Sequence, residues 1–387
     1  MENFIYSNPT KIIFGKNTVL RIGKESLKYG KKALMVYGKS SIKNNGVYNI
    51  IVDCLKKNNI DFVEHSGVKP NPILSHVKEG ILKFKENNCD FIIAAGGGSV
   101  IDESKAISAG VFYEGDVWDF FIDKAEIKKT APLLVILTIP ATGSESNGGS
   151  VVTNERTLQK YSAHSHLLFP KVSILDPTTT FSLPEIQTAY GCVDAISHLS
   201  EGFFTTSDRD SIITDNYVYA VIKSLIEATD RIFKNPKDYN ARATFMWSAT
   251  LALNGQQALG YKSVEFVNHI IEHSLSAIYD IPHGLGLSII FSGFLKYLIE
   301  KKDLERILKF GNAIFNIEND GTKKNAKKTV EKIEELFINM GLKIRLCENS
   351  IFESDFNKIA DNSLELGKLW GWSYSKEDVL KILNFCK

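Results

Sequence analysis

The chain has 387 residues, of which 44% are hydrophobic and 24% are charged, and its formal net charge is +1. These values are ordinary for a globular protein with a large buried core, and the length predicts two domains. Because the charge is balanced, no strong electrostatic field exists to recruit a polyanion. We therefore expect neither nucleic acid nor an anionic membrane surface as a partner.

Cysteine usage and hydropathy bear on the compartment. The five cysteines are scattered, and no two of them stand at Cys-x-x-Cys spacing. An odd, unpaired set is typical of a reducing compartment. The first ten residues show no basic segment followed by an apolar one, and the most apolar run, 131–141, is too short to span a bilayer. We predict a cytoplasmic protein.

The first half of the sequence alternates short apolar runs with helical patterns. Strands are predicted at 31–38, 61–68, 90–98, 133–141 and 171–177, and helices at 47–59, 71–88 and 99–110. Strands that alternate with helices indicate crossover connections, which produce a parallel sheet. The first half is therefore predicted to be an α/β domain.

The pattern changes after a segment rich in proline and threonine at 176–187, and no strand is predicted beyond it. Helical periodicity appears at 185–204, 208–233, 237–259, 264–279, 285–300, 302–316, 322–341 and 375–385. The sequence thus predicts an α/β domain over 1–180 and an all-helical domain over 181–387.

Three loops at predicted strand ends have the composition of a nucleotide site. The segment AAGGGSVID, 94–102, joins a strand to a helix through glycines, so that main-chain N–H groups can approach an anion. It is not the G-x-G-x-x-G fingerprint, and by itself it is equally compatible with a turn that binds nothing. Two further loops, 37–41 and 137–150, favour a dinucleotide site. Uncharged donors in the last loop are Thr138, Thr142, Ser144 and Asn147.

Histidines and one aspartate suggest a metal site. Asp194 and His198 are four residues apart, as are His269 and His273, and each pair lies on one face of a predicted helix. His283 follows in a predicted loop. Two such helices can offer a carboxylate and two or three imidazoles to one divalent ion. The H-E-x-x-H motif of zinc proteases is absent.

Longer motifs now become recognisable, among them GVKPNP, AAGGGSVIDESKAI, TIPATGSESN, ILDPTTTFSLP, GCVDAISHLSEGFF and H-x-x-x-H followed by P-H-G. With them, nearly the whole chain resembles the iron-containing (group III) alcohol dehydrogenases, particularly their NADPH-dependent butanol dehydrogenase and aldehyde reductase branch. The resemblance implies a dehydroquinate synthase-like fold, with a nucleotide-binding α/β domain, a helical metal-binding domain and a cleft between them. It also implies a homodimer.

The resemblance carries the family's metal ligands onto Asp194, His198, His269 and His283, for Fe²⁺ or Zn²⁺. His269 is chosen because it stands fourteen residues before His283, which is the family's spacing. His273 then corresponds to a histidine near the nicotinamide and the substrate. We expect it to relay a proton or to orient the substrate.

Family cofactor contacts fall on Gly38, Ser41, Asn71, Gly97, Gly98, Ser99, Asp102, Thr138, Thr142, Ser144, Asn147 and Lys160. The loop at 37–41 departs from the family's sequence, because Lys39 and Ser40 replace two glycines. No acid stands near Gly38 in the sequence, while Lys39, Ser40, Ser41 and Lys43 can bind a 2′-phosphate. We therefore predict NADPH rather than NADH.

The implied reaction is reversible hydride transfer between an aldehyde or ketone and an alcohol, with short- and medium-chain aldehydes as substrates. Candidates for an apolar substrate pocket are Trp118, Phe121, Phe203 and Tyr261, with a purely structural role as the alternative. Other functions on the same fold are a glycerol dehydrogenase and a dehydroquinate synthase-like lyase. A lyase acting on a phosphorylated acid requires basic residues, and the two metal-ligand segments contain none. A non-catalytic nucleotide-binding protein is the remaining alternative.

Overall fold

The computed structural model describes every residue from Met1 to Lys387. Its first half contains a six-stranded parallel sheet in the order β1-β8-β5-β4-β2-β3 and a separate antiparallel pair, β6 and β7. The strands are β1 (Lys11–Phe14), β2 (Lys32–Tyr37), β3 (Asp61–Ser66), β4 (Phe91–Gly97), β5 (Leu133–Ile139), β6 (Gly149–Asn154), β7 (Gln159–His164) and β8 (Val172–Leu175).

The five predicted strands are all present, as β2, β3, β4, β5 and β8. Every residue of β4 is buried, as expected for a strand covered on both faces. The edge strand β1 and the hairpin of β6 and β7 were not predicted. β1 has only four residues, and the hairpin interleaves polar with apolar residues around the turn at 155–158.

Helices cover the parallel sheet and form the whole of the second half. In the first half they are α1 (Ile22–Ser26), α2 (Ser41–Asn44), α3 (Val47–Lys57), α4 (Leu74–Glu86) and α5 (Gly98–Gly110). In the second half they are α6 (Glu185–Thr205), α7 (Ile212–Lys234), α8 (Tyr239–Ala252), α9 (Val267–Tyr279), α10 (His283–Glu300), α11 (Glu305–Phe315), α12 (Lys323–Asn339), α13 (Phe356–Leu369) and α14 (Lys376–Phe385). None of these helices has both the length and the apolar composition that a membrane span requires.

The helical half agrees with the predicted pattern and departs from it in three places. No strand follows β8, as predicted. The helix predicted over 237–259 ends at Ala252, and α13 was not predicted. His283 was expected in a loop and is instead the first residue of α10, directly after Pro282, whose fixed φ favours a helix start.

One apolar core lies among the helices and one lies on each face of the sheet. The core on one face of the sheet also includes Met246, Ile270 and Leu366 from the helical half. The helices α6 and α10 lie at the centre of the helical half and are buried along most of their length. Polar residues on such helices are therefore held in fixed positions away from water, which is the setting that the candidate site uses.

Candidate active site

A cavity of about 740 Å³ lies between the two halves, at the carboxyl ends of the parallel strands. This is where open α/β sheets bind ligands. The sheet half contributes seven of the predicted cofactor residues to the wall, which are Asn71, Ser99, Asp102, Thr142, Ser144, Asn147 and Lys160. The helical half contributes His198, His269, His273 and His283.

One carboxylate oxygen gathers three imidazoles from three helices. Asp194 Oδ1 on α6 lies 3.3 Å from His198 Nδ1, one turn further along the helix. It lies 3.6 Å from Nε2 of His269 on α9 and 3.5 Å from Nε2 of His283 at the start of α10. The rings of His198 and His269 are stacked with centroids 4.4 Å apart. The structure thus brings together all four residues expected to bind a metal.

The chemistry of this cluster fits a divalent cation. Asp194 Oδ1, His198 Nδ1 and His269 Nε2 are buried and have no hydrogen-bond partner. Leaving buried polar atoms unpaired costs about 1–3 kcal/mol each, so several such atoms in one place require an explanation. Imidazole and carboxylate ligands suit both iron and zinc.

Two glutamates hold the outer nitrogens of these imidazoles. Glu201 Oε2 lies 2.7 Å from His269 Nδ1, and Glu201 Oε1 accepts a bond from the His269 main-chain N–H at 3.0 Å. Glu272 is hydrogen-bonded to His283 Nδ1. Such partners fix the tautomer and the ring orientation, so that Nε2 faces Asp194. Sequence reasoning missed both glutamates, although Glu201 follows His198 by three residues and Glu272 stands directly before His273.

The charges in the cluster are coupled. Burial would raise the pKa of Asp194, but His198 and His283 outweigh it and hold that pKa well below the usual range. Burial, reinforced by the charges of His269 and His283, lowers the pKa of His198 to about 3, so this imidazole is neutral at pH 7. Burial opposes the charge on His269, but Glu201 and Asp194 raise its pKa to about 10. A metal ion would displace that proton when it binds.

His273 lies on α9, one turn after His269. A nitrogen of its ring lies within 4.8 Å of ligand atoms of Glu272 and His283, but His273 is not among the imidazoles that contact Asp194. Its Nδ1 is buried without a partner, and its ring centroid lies 5.9 Å from that of Trp370 in the cavity wall. Burial and the nearby Lys160 hold the pKa of His273 well below its usual value. The side chain is therefore a neutral imidazole that faces the cavity.

The glycine turn between β4 and α5 contacts the loop at 137–150 directly. A Cβ atom on Gly98 would lie 2.4 Å from Thr142 Oγ1, so only glycine allows this approach. Two side chains of the turn are held by hydrogen bonds. Ser99 donates to the Pro70 carbonyl. Asp102 is buried and accepts a 2.5 Å bond from Ser144 Oγ.

A buried lysine that was not predicted holds the loop at 137–150 in place through hydrogen bonds. Lys105 Nζ donates to Ser144 Oγ at 2.9 Å, to Asn147 Oδ1 at 3.0 Å and to the Gly149 carbonyl at 2.7 Å. Burial lowers its pKa to about 8, although Asp102 offsets part of the effect. Its position seven residues after Gly98 on α5 was the available clue.

Lys160, predicted to contact the cofactor, lies beside the imidazole cluster. It projects from β7, and its Nζ donates to Asn71 Oδ1 at 3.1 Å and to Glu272 Oε2 at 3.4 Å. The same nitrogen is 3.5 Å from His283 Nδ1. The two metal-ligand segments lack basic residues, and the fold supplies this one lysine from the other half of the chain.

The loop at 37–41 lies outside the cavity wall. Gly38 follows β2, and Lys39, Ser40 and Ser41 are exposed. Gly97, Gly98 and Thr138 do not line the cavity either; all three are buried near the strand ends beside it.

One acid that is distant in the sequence lies on the strand next to β2. Glu64 on β3 is paired with Met35 of β2 in the sheet; its carboxylate lies 3.5 Å from Lys43 Nζ, accepts a 2.6 Å bond from the Tyr48 hydroxyl and accepts another from the hydroxyl of Tyr37, the last residue of β2. Adjacent strands bring this acid to the Tyr37 hydroxyl, although the two residues are 27 apart in the sequence.

The aromatic residues expected to line the pocket are in the cores instead. Phe203 and Tyr261 are buried in the helical core, while Trp118 and Phe121 pack over the sheet. The aromatic side chains that do line the cavity are Phe169, Phe266, Trp370 and Trp372. Two of these come from the segment after α13, a helix that the sequence pattern did not reveal.

The sheet half, the helical half and the cavity between them define a two-domain fold of the dehydroquinate synthase-like class. The sequence model described as iron-containing alcohol dehydrogenase matches residues 9–177, and the C-terminal model of the same family matches residues 188–385. The chain belongs to the iron-containing alcohol dehydrogenase family.

Individual relatives agree with this assignment. The chain is 40% identical to the probable NADH-dependent butanol dehydrogenase 2 of Bacillus subtilis, over 99% of both chains. It is 32% identical to the NADPH-dependent aldehyde reductase YqhD of Escherichia coli, over 90% of this chain and 89% of the relative. The crystal structure of NADH-dependent butanol dehydrogenase A from Thermotoga maritima superposes with a TM-score of 0.96 at 44% identity, covering 100% of this chain and 99% of that one.

Proposed function

We propose that this protein catalyses reversible hydride transfer between NADPH and short- or medium-chain aldehydes, which yields the corresponding alcohols. Family membership supports the reaction class, since the relatives are named as butanol dehydrogenases and an aldehyde reductase. The main structural support is the group of buried, unpartnered ligand atoms around Asp194, which faces the nucleotide loops across one cavity.

In this proposal Asp194, His198, His269 and His283 hold one divalent ion, Fe²⁺ or Zn²⁺. When bound, the ion supplies a Lewis acid that polarises the substrate oxygen. Glu201 and Glu272 keep the imidazoles oriented. Elemental analysis of protein prepared without oxygen, followed by reconstitution of activity with each metal, distinguishes iron from zinc.

His273 is the proposed proton-handling or substrate-orienting group. It is neutral and faces the cavity next to Trp370, within reach of a substrate that has its oxygen near the Asp194 group. Phe266 and Trp370 form an apolar wall here that excludes water. Lys160, paired with Glu272, is the only basic side chain beside the cluster, which favours an uncharged aldehyde over a phosphorylated acid.

The nucleotide is proposed to lie along the loops that contain Gly38, Gly97, Gly98, Ser99, Thr138, Thr142, Ser144 and Asn147. Preference for NADPH would come from Lys39, Ser40 and Ser41, which are exposed donors at the end of β2. Glu64 opposes a 2′-phosphate, but Lys43 offsets its charge at 3.5 Å. The names of the relatives include both NADH- and NADPH-dependent enzymes, so this preference depends on the local charges.

A homodimer is proposed from exposed apolar side chains on the edge strand, beside it and in the segment that precedes it. Phe14 on the edge strand β1 and Trp247 on α8 are each 40% exposed, and Ile5 in the preceding segment is 98% exposed. An edge strand with an apolar flank invites pairing with a second copy. Light scattering should give twice the chain mass, and I5D/F14D should give a monomer. A wild-type monomer would contradict the dimer.

The cellular compartment and the domain boundary are also proposed. Because its five cysteines are free, we propose that the protein resides in a reducing cytoplasm. The change from sheet to helices between Leu175 and Glu185 supports a domain boundary near residue 180. Limited proteolysis that leaves a cut within 176–187 would test the boundary.

The function is tested by NADPH oxidation with butanal, measured with and without a metal chelator. We expect turnover, loss of activity after chelation and recovery on adding Fe²⁺ or Zn²⁺. A panel of aldehydes with both nicotinamides then measures the preferences. No turnover with any aldehyde in metal-loaded protein would refute the proposed reaction, and equal or better kcat/KM with NADH would refute the cofactor preference.

A further inference from the structure

A second cluster of metal-ligand side chains lies in the sheet half, away from the cavity. It consists of His65 on β3, His76 on α4 and Glu103 on α5, and none of the three lines the cavity. The side chains of His65 and Glu103 are 2% and 0% exposed. Their ligand atoms all lie within 4.8 Å of one another. The proposed reaction gives these residues no role.

The cluster repeats the arrangement seen around Asp194. Glu103 Oε1 lies 2.7 Å from His76 Nδ1 and 3.1 Å from His65 Nε2. The two rings are stacked at 4.1 Å with an angle of 23° between their planes, compared with 4.4 Å and 22° for His198 and His269. The second carboxylate oxygen, Glu103 Oε2, is buried and has no hydrogen-bond partner.

The hydrogen-bond pattern requires a proton or a metal ion between His76 and Glu103. His76 Nε2 lies 3.2 Å from the Ser66 carbonyl, which can only accept, so Nε2 carries a hydrogen. In a neutral His76 the other nitrogen, Nδ1, then presents a lone pair to a carboxylate oxygen 2.7 Å away. Two acceptors do not approach so closely unless a proton or a metal ion provides the attraction.

We propose that His65, His76 and Glu103 bind one Zn²⁺ ion, distinct from the ion proposed at Asp194. Two imidazoles and a carboxylate are a ligand set that zinc takes in proteins, with a water molecule as the fourth ligand. The side chain of His76 is 19% exposed, which gives that fourth position access to solvent. Glu103, with one oxygen unpartnered, can ligate through either oxygen.

Gly80 on α4 leaves the space that this arrangement needs. A Cβ atom there would lie 3.0 Å from His65 Nε2 and 2.4 Å from Ile107 Cδ1. Any larger residue would push the imidazole away from Glu103. The helix α4 therefore supplies a ligand, His76, and, one turn later at Gly80, the space beside the His65 imidazole.

The zinc ion would tie together the elements that carry the nucleotide loops. Glu103 lies in the same helix as Gly98 and Ser99, and Ser99 donates to the Pro70 carbonyl. The segment from Ser66 to Asn71 begins directly after His65, and Asn71 Oδ1 accepts a bond from Lys160 in the same wall of the cavity. An ion that binds only the folded chain raises its stability, so added zinc should raise the Tm.

The test measures zinc bound per chain in purified holoenzyme dialysed against excess ZnCl₂ and then freed of unbound metal. We expect two zinc ions per chain in the wild type and one in Glu103→Gln, with butanal reduction retained. Glu79→Gln is the matched control, because Glu79 is an exposed acid on α4, and it should bind two. Asp194→Asn should bind one, so that loss of either site is read separately.

His76→Asn is measured in parallel, in case Glu103→Gln does not fold, and it should also bind one zinc ion. It should lose the increase in Tm on adding ZnCl₂ that the wild type shows. One zinc ion in the wild type that Asp194→Asn removes, or two ions retained in Glu103→Gln or His76→Asn, would overturn the proposal and leave an imidazolium–carboxylate pair. Failure of Asp194→Asn to lower the count would instead refute the catalytic metal site.

Discussion

The two walls of the cavity differ in what their ligand-binding groups are made of. On the sheet side the groups are mostly glycine main chain, hydroxyls and amides. The buried Lys105 does not face a ligand there, because its hydrogen bonds hold the loop at 137–150. On the helical side, charged carboxylates and imidazoles converge from α6, α9 and α10. A site made by main-chain geometry tolerates changes of side chain, whereas a site made by side chains is lost when one of them changes.

The comparison is tested most strongly by Asp194→Asn, which keeps the shape of the side chain and removes its charge. We expect kcat for butanal to fall by about 10³-fold, because a Lewis acid is worth several kcal/mol and 1.36 kcal/mol is tenfold in rate. Bound metal at this site should fall with it. Asp210→Asn, a change at an exposed acid, is the control. Full activity in Asp194→Asn would show that the helical wall does not depend on this side chain.

His273→Ala separates the metal ligands from the neighbouring imidazole. We expect kcat to fall by about 10²-fold, the usual size of a general acid–base contribution, while metal content stays at the wild-type level. Steady-state kinetics and elemental analysis on the same preparation check both parts. Loss of metal would mean that His273 is itself a ligand and that the assignment of His269 is wrong.

Glu201→Gln tests whether the outer carboxylate tunes the metal site. The amide oxygen can still accept from His269 Nδ1, but the side chain carries no charge and its NH2 group cannot accept the second bond, from the His269 main-chain N–H. Metal affinity should therefore fall by about 10- to 100-fold. Competition with a chelator of known affinity measures this, and kcat at saturating metal should stay close to that of the wild type. Unchanged affinity would reduce Glu201 to a packing role.

The smallest effect is expected on the sheet side. Lys39→Ala should lower kcat/KM for NADPH by about tenfold and leave the value for NADH unchanged, because one hydrogen bond to a charged group contributes about 1.5–3 kcal/mol and exposure reduces it. Lys85→Ala, an exposed lysine on α4, is the control. An equal change with both nicotinamides would show that Lys39 does not read the 2′-phosphate.

Local sequence patterns were sufficient for most of the architecture. Apolar runs such as β4 and β5 are buried on both faces, so they form strands wherever the helices around them pack. The four-residue spacing of Asp194 and His198 likewise fixes both side chains on one face of α6. The elements that escaped prediction are β1, the β6–β7 hairpin, α1, α2 and α13. They are short or have mixed polarity, so their neighbours in the fold stabilise them.

The sequence by itself determined the succession of sheet and helices, the glycine turn and the four-residue spacings of Asp194 with His198 and of His269 with His273. Each of these depends on residues within one helical turn, one loop or one apolar run. Only the tertiary structure decided which groups surround them. It brought Glu64 beside Tyr37, Lys160 beside His283, Trp370 beside His273 and Glu103 beside His65 and His76. These pairs are distant along the chain, and their positions depend on how the apolar cores pack, which no local pattern records.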